Sequence, residues 1–538
     1  MATRRREFLK AGLAVAAGGA ISSERLGAQP SPQAQTAPSR SELDEITVAE
    51  LQEGMKSGRF TARGLTQTYL ERIEAIDKRG PALNSVIEVN PEALAIAAQL
   101  DEERRAKGPR GPLHGVPVLI KDNIATADKM QTTAGSLALV GARVPKDSAV
   151  AARLRAAGAV IIGKTNLSEW ANFRGDHSTS GWSGRGGLTL NPYALDRNTS
   201  GSSSGSGAAA AANLCAVAVG TETDGSIVSP SSMNGVVGIK PTVGLVGRGG
   251  IVPISHTQDT AGPMARTVAD AAVLLAALAG RDTDDEATTD AQKHLVSDTT
   301  RFLDPHGLRG ARLGVVRKLA GFNRHVDAVF GEALLALKKA GAEIVDPVEI
   351  ASIGKVDDPE MQVLLYEFKA DLNRYLSQLT GAKVRTLKDV IEFNQKNSAR
   401  ELPYFGQELM EKAEAKGDLS SEEYKKALAD CRRLARTEGI DSVMEKLRLD
   451  ALIAPTDSPA WVTDLVNGDH FTGSSSTLPA VAGYPHVTVP MGMPFGLPAG
   501  ISFFGRAWSE PTLIKFAYAF EQATRARRAP SFVPTLKF

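Results

Sequence analysis

The stretch Asn198–Thr242 constrains this chain more than any other: NTSGSSSGSGAAAAANLCAVAVGTETDGSIVSPSSMNGVVGIKPT. Two Gly/Ser clusters flank an apolar run, and only Glu222, Asp224 and Lys240 are charged. A packed domain has little structural use for two such clusters so close together. Glycine admits backbone angles and close approaches denied to other residues, and loops built this way carry catalytic groups on a rigid scaffold. The expectation is that both clusters fold onto one site and bring two serine hydroxyls together. Their base must come from elsewhere in the chain.

A serine is a weak nucleophile at neutral pH and needs a positioned base. Gly201-Ser202-Ser203-Ser204-Gly205 matches the pattern G-x-S-x-G, but a nucleophile elbow requires a strand immediately before it. Asn191–Ser200 is turn chemistry instead, and with eight histidines in the chain a His470 or His486 downstream is cheap. The second cluster suits a nucleophile better. Ser226 lies just beyond the apolar run Leu214–Val219, and Gly225 lets the N–H groups of Thr223, Asp224, Gly225 and Ser226 turn toward a common point. Such donors stabilise a developing oxyanion by about 3 kcal/mol each. Spacing alone favours a plain Gly-Asp turn. Lys121 ends the apolar run Val116–Ile120, whose lack of alternation reads as a strand buried on both faces. Desolvation there lowers a lysine pKa, yet a Lys-Asp pair after a strand is more often a solvated strand end. The residues by themselves leave a Ser–Lys hydrolase open.

Lys121 in GVPVLIKDN, Ser202 in GSSSGSG and Ser226 in GTETDGSI together resemble the amidase signature family. The separations agree as well, with 24 residues between the serines and the lysine 81 before the first. Val236–Thr242, Thr260–Arg266 and Leu478–Gly492 extend the match, which runs from about Ser41 to Ala526. The resemblance implies Ser226 as nucleophile, Lys121 as a neutral base, and Ser202, after a cis peptide bond at Gly201, as the relay between them. It implies the N–H groups of residues 223–226 as the oxyanion hole and Gly201 and Ser203 as supporting residues. The Ala208–Ala212 run, read as a helix following Ser206, would point its positive end at the site. The implied product is ammonia or an amine, released by way of an acyl-enzyme.

Departures from the common pattern narrow the substrate. Val228 stands where many members carry an arginine able to pair with a substrate carboxylate, and Asn234 stands where a cysteine is common. TETDGSIV and NGVVGIKPT, with Leu364–Asp371 and Phe405–Leu409, look most like the bacterial peptide amidases, which act on C-terminal peptide amides. A general aliphatic or aryl amidase is the alternative within the family. A periplasmic amide-binding protein that kept the fold and lost turnover is the alternative of a different class, opposed by the intact Lys121, Ser202 and Ser226.

The fold expected is α/β: one large α/β/α sandwich with a mixed central sheet and a mostly helical insertion at about 327–447, since helices alternate with fully buried strands. Residues 1–28 resemble a twin-arginine signal, with Arg5-Arg6 before Phe8-Leu9 and a weakly apolar run at Ala11–Ile21 too short to span a bilayer. Residues 29–44 read as a disordered linker and 45–538 as the catalytic domain. The expected setting is the periplasm or outside the cell, with the twin-arginine export machinery as a transient partner and no stable membrane anchor. The first 28 residues hold three net positive charges of a total of +1, so the remainder offers no basic surface for nucleic acid. Metal-ligand spacings and a strand–GxGxxG–helix unit are missing, so neither a metal nor a cofactor is expected. Cys215 and Cys431 form no disulfide framework.

Overall fold

The computed structural model describes residues 41–296 and 298–537. The expected signal, its cleavage site and residues 29–40 of the linker lie outside them. The last linker residues, 41–44, pack on the domain, with Leu43 buried in the core.

Eleven strands form one mixed sheet. In chain order these are β1 (Val86–Val89), β2 (Pro117–Lys121) and β3 (Val160–Thr165). A small separate hairpin, β4 (Trp182–Ser183) and β5 (Gly187–Leu188), comes next. The sheet resumes with β6 (Val217–Glu222), β7 (Val237–Lys240), β8 (Thr260–Ala265), β9 (Arg312–Val315), β10 (Glu343–Val345), β11 (Ala451–Pro455), β12 (His486–Gly492) and β13 (Ala499–Phe504). The spatial order is β1-β3-β2-β6-β8-β7-β12-β13-β11-β9-β10. Parallel pairs join β3, β2 and β6 on one side and β11, β9 and β10 on the other, and the pairings between them are antiparallel. This is the expected mixed α/β architecture.

Local chemistry explains many of the boundaries. Thr47 caps the helix Val48–Ser57 with a complete capping box to Glu50, and Thr267 caps Val268–Leu278. Every residue of β2, β3 and β6 is buried, as their unbroken apolar runs require. The helix Ser204–Ala211 begins earlier than read from the sequence, so Ser206 lies inside it and its first turn adjoins Ser202 and Ser203. The segment 327–447 is mostly helical, but its opening portion belongs to the sheet layer. The helix Arg324–Lys339 packs on the core and leads into β10, which pairs parallel with β9. Helices from Asp357 to Leu447 cover the rest, packing around two further apolar clusters. Both cysteines are buried and free. Among the described residues no helix is long and apolar enough to cross a membrane.

Candidate active site

Strand β2 carries Lys121 into the sheet between β3 and β6, and its side chain is fully buried. Its Nζ lies 2.8 Å from Ser202 Oγ, 2.9 Å from Thr221 Oγ1, 3.0 Å from Ser203 Oγ and 3.2 Å from Thr221 O. Every partner is uncharged. Burial lowers the amine to about 7, against the opposing charges of Asp259 and Glu222. The hydroxyl network then settles the role of Ser203 toward the amine. Ser203 Oγ donates to Thr221 O (3.0 Å) and accepts from Thr221 N (3.1 Å), so toward Lys121 it acts as an acceptor. Thr221 Oγ1 accepts from Asn123 Nδ2 at 2.9 Å. One N–H of Lys121 therefore goes to Ser203 Oγ, and Ser202 Oγ, Thr221 Oγ1 and Thr221 O share its other bonding positions.

The first Gly/Ser cluster is shaped around that contact. The Gly201–Ser202 peptide is cis. Ser202 O accepts from Ser168 N at 3.1 Å, and a Cβ at Gly201 would stand 2.2 Å from Ser168 Oγ, so the position has no room for a side chain. Ser200, in the left-handed region at φ +58°, hydrogen-bonds Ser229 Oγ at 2.7 Å. Ser204 Oγ in turn donates to Ser200 O at 2.7 Å.

The second cluster is a turn pinned from several sides. Gly225 takes φ +75°, which glycine adopts without cost. Glu222 accepts from Ile227 N (2.7 Å) and Val228 N (3.0 Å), holding the chain just past Ser226. Thr223 Oγ1 donates to Asp259 Oδ1 at 2.6 Å, and Thr477 Oγ1 donates to Asp224 Oδ2 at 2.8 Å. Ser226 O accepts from Ser203 N at 3.2 Å, which ties the two clusters together by their backbones. Ser226 Oγ itself makes no hydrogen bond to Ser202 or Lys121. Among the described residues no acceptor takes the backbone N–H of Thr223, Asp224, Gly225 or Ser226.

Ser226, Gly201 and residues 223–225 line a cavity of about 430 Å³. Its other walls come from distant segments: Phe173, Ile254 and Leu364 on one side, and Asp457, Trp461, Asp469 and Phe471 on another. The structure thus brings Lys121, Ser202 and Ser203 into direct contact and places Ser226 and its turn on the cavity above them. Thr221, Asn123, Glu222 and Asp259 belong to the same constellation and were not singled out from the sequence. Asp259 immediately precedes the Thr260–Arg266 motif, and that adjacency was the one available signal.

The loop holding Asp259 also reaches the helical insertion. Ser255 Oγ donates to Glu367 at 2.5 Å, Gln258 Nε2 donates to Glu360 at 2.8 Å, and His256 Nδ1 lies 2.8 Å from Asp371. All three carboxylates sit on the helix Asp357–Ser377. His256, Glu367 and Asp371 could between them offer three ligand atoms to a metal ion. Tyr424 and Thr257 already donate to Glu367, and Arg374 pairs with Asp371, so the group is better described as a saturated ion-pair cluster.

Comparison with known proteins identifies the family. The amidase family model matches residues 64–514. A probable amidase of Arabidopsis thaliana is 44% identical over 500 residues, covering 91% of this chain and 92% of that protein. The crystal structure of an amidase family protein from Bacillus anthracis superposes with a TM-score of 0.83 at 38% identity, covering 91% of this chain and 93% of that one. The crystal structure of the peptide amidase of Stenotrophomonas maltophilia superposes with a TM-score of 0.87 at 54% identity, covering 91% of this chain and 99% of that one. The chain belongs to the amidase signature family and is an amide hydrolase.

Proposed function

We propose that this protein releases ammonia from C-terminal peptide amides, using Ser226 as nucleophile, Ser202 as proton relay and Lys121 as base. The contact of Ser202 Oγ with a buried amine whose partners are all uncharged carries the mechanistic reading. The 54% identity to a peptide amidase over nearly the whole of both chains supports the substrate.

In the first half-reaction Ser226 Oγ attacks the carbonyl carbon, its proton passes to Ser202 Oγ, and the proton of Ser202 passes to Lys121 Nζ. Negative charge gathers on the carbonyl oxygen, where the N–H groups of residues 223–226 accept it without reorganising. As the C–N bond breaks, the proton returns through Ser202 to the leaving nitrogen, and ammonia departs. Water then attacks the Ser226 ester with the same relay as base, which frees the acid and restores the serine. Ser203 positions Lys121 by spending one of its N–H bonds. Gly201 lets the relay serine approach.

The twin-arginine-like start supports a periplasmic or extracellular setting for this work, with export machinery as the transient partner. Fractionation of cells with and without Arg5→Lys/Arg6→Lys tests that setting.

The substrate is tested by ammonia release from a panel of peptide amides, simple aliphatic carboxamides and anilides. The reading expects peptide amides to lead in kcat/KM by about tenfold or more. Anilides or simple amides in the lead would make the protein a general amidase, and no turnover of any amide would leave a binding protein.

A further inference from the structure

The cavity carries a charge pattern that the reaction itself does not require. Its lining includes Asp224, Asp457 and Asp469 and no lysine, arginine or histidine. Two of these aspartates are committed to the floor: Asp224 accepts from Thr477, and Asp457 accepts from Ser229 Oγ and, at 2.6 Å, from Ser458 N. Asp469 lines the cavity with Trp461 and Phe471 and is likewise hydrogen-bonded. Its oxygens accept from Ser180 N (3.0 Å), Ser180 Oγ (2.5 Å), Trp461 Nε1 (3.2 Å) and Asn198 Nδ2 (3.5 Å). Burial raises its pKa, and the hydrogen bonds from Ser180 and Trp461 offset part of that rise.

Aromatic rings flank this carboxylate. The Trp461 and Phe471 rings stand edge-on with centroids 6.4 Å apart, and both line the cavity. An ammonium or guanidinium entering here meets a carboxylate beside aromatic faces, both attractive to cations. A carboxylate meets like charge in a partly desolvated cleft, with no cation on the walls to offset it. Val228, two residues past the nucleophile, is fully buried and apolar.

We propose that Asp469 sets the charge preference of the cavity, admitting peptide amides with neutral or cationic residues near the scissile amide and turning away those with acidic ones. The proposal rests on the amidase reading above and names the substrate class within it. It also accounts for product departure: hydrolysis turns a neutral amide into a carboxylate inside the same acidic walls, and the product is repelled.

The test compares acetyl-Ala-X-amides with X = Lys, Met or Glu at pH 8. The wild type is expected to favour Met over Glu by about tenfold in kcat/KM, with Lys at or above Met, and Asp469→Asn to shrink the Met/Glu ratio to about threefold or less. The ratio is taken within each protein, so a general loss of activity does not enter it. Equal use of Glu and Met by the wild type, or an unchanged ratio in Asp469→Asn, overturns the proposal.

Calorimetric binding of the three peptides to the Ser226→Ala protein reads the same preference without turnover and without altering Asp469. Weaker binding of the Glu peptide there, with no ammonia released by the wild type, would refute the amidase reading and leave the charge preference standing. Equal binding of all three refutes the charge preference whatever the turnover.

Discussion

The floor and the rim of the cavity are built in opposite ways. The floor is Ser226 and its turn, backed by the buried Lys121, Ser202, Ser203 and Thr221 from strand ends and turns, and every one of them is held by short backbone or hydroxyl contacts. The rim draws Phe173, Leu364, Trp461, Asp469 and Phe471 from segments far apart in the chain, and Phe471 is more than half exposed. Chemistry that must place a proton within a few tenths of an ångström is put on rigid elements. Choice of substrate is put where side chains can change without disturbing them. The loop Ile254–Asp259 joins the two, touching the Ser226 turn through Thr223 and the insertion helix through Glu360, Glu367 and Asp371.

Substitutions on the floor should therefore act on turnover, and those on the rim on selection. The largest effect belongs to Ser226→Ala and Lys121→Ala, each expected to lower kcat by roughly a thousandfold or more with the fold intact by circular dichroism. A loss below tenfold in either would break the comparison. A fluorosulfonyl reagent should add its mass to Ser226 in the wild type; inactivation with that residue unlabelled on peptide mapping would place the nucleophile elsewhere.

Asp259→Asn probes the join. It loosens the hold on Thr223 and removes a charge that raises the Lys121 pKa, so kcat should fall by about tenfold and the acid side of the pH–rate profile should move to lower pH. A fall in kcat with the profile unmoved would reduce Asp259 to a purely structural role.

Arg174 anchors the insertion beneath the rim, bonding Glu169 at 2.6 Å and Glu401 O at 2.6 Å between the rings of Trp182 and Phe405. Its replacement by Ala removes the cation paired with buried Glu169, and the unfolding free energy should drop by about 3 kcal/mol in denaturant titration. Smallest is Phe471→Ala on the rim, expected to raise KM about threefold for peptide amides while kcat holds.

The same division governs what the sequence disclosed. Lys121, Ser202 and Ser226 were singled out by the resemblance of their three motifs to the amidase signature family, whereas composition and spacing alone left each open to a plainer reading. The unbroken apolar run of β2 and the Thr47 capping box announced their elements. Strand β8 was not legible, since Gly262 and Pro263 stand within it and a proline argues against a central strand, although Pro263 pairs with Val219 there. The start of the helix Ser204–Ala211 was hidden by its Ser and Gly content, poor in helix propensity but fixed by tertiary contacts. Asp457 and Asp469 gave no local signal. They are isolated aspartates in a turn-rich segment, and only the return of β11 to the sheet beside β13 brings that segment to the cavity that Ser226 lines.

The account stands on a neutral lysine acting through Ser202, and the pH dependence of kcat/KM for a neutral peptide amide tests it most directly. Burial holds Lys121 near 7, so the active, unprotonated form is lost below that pH, and the rate should rise through a midpoint near pH 7 to a plateau on the alkaline side. A rate that stays flat from pH 5.5 to 8.5, or one that falls as pH rises through 7, would contradict it.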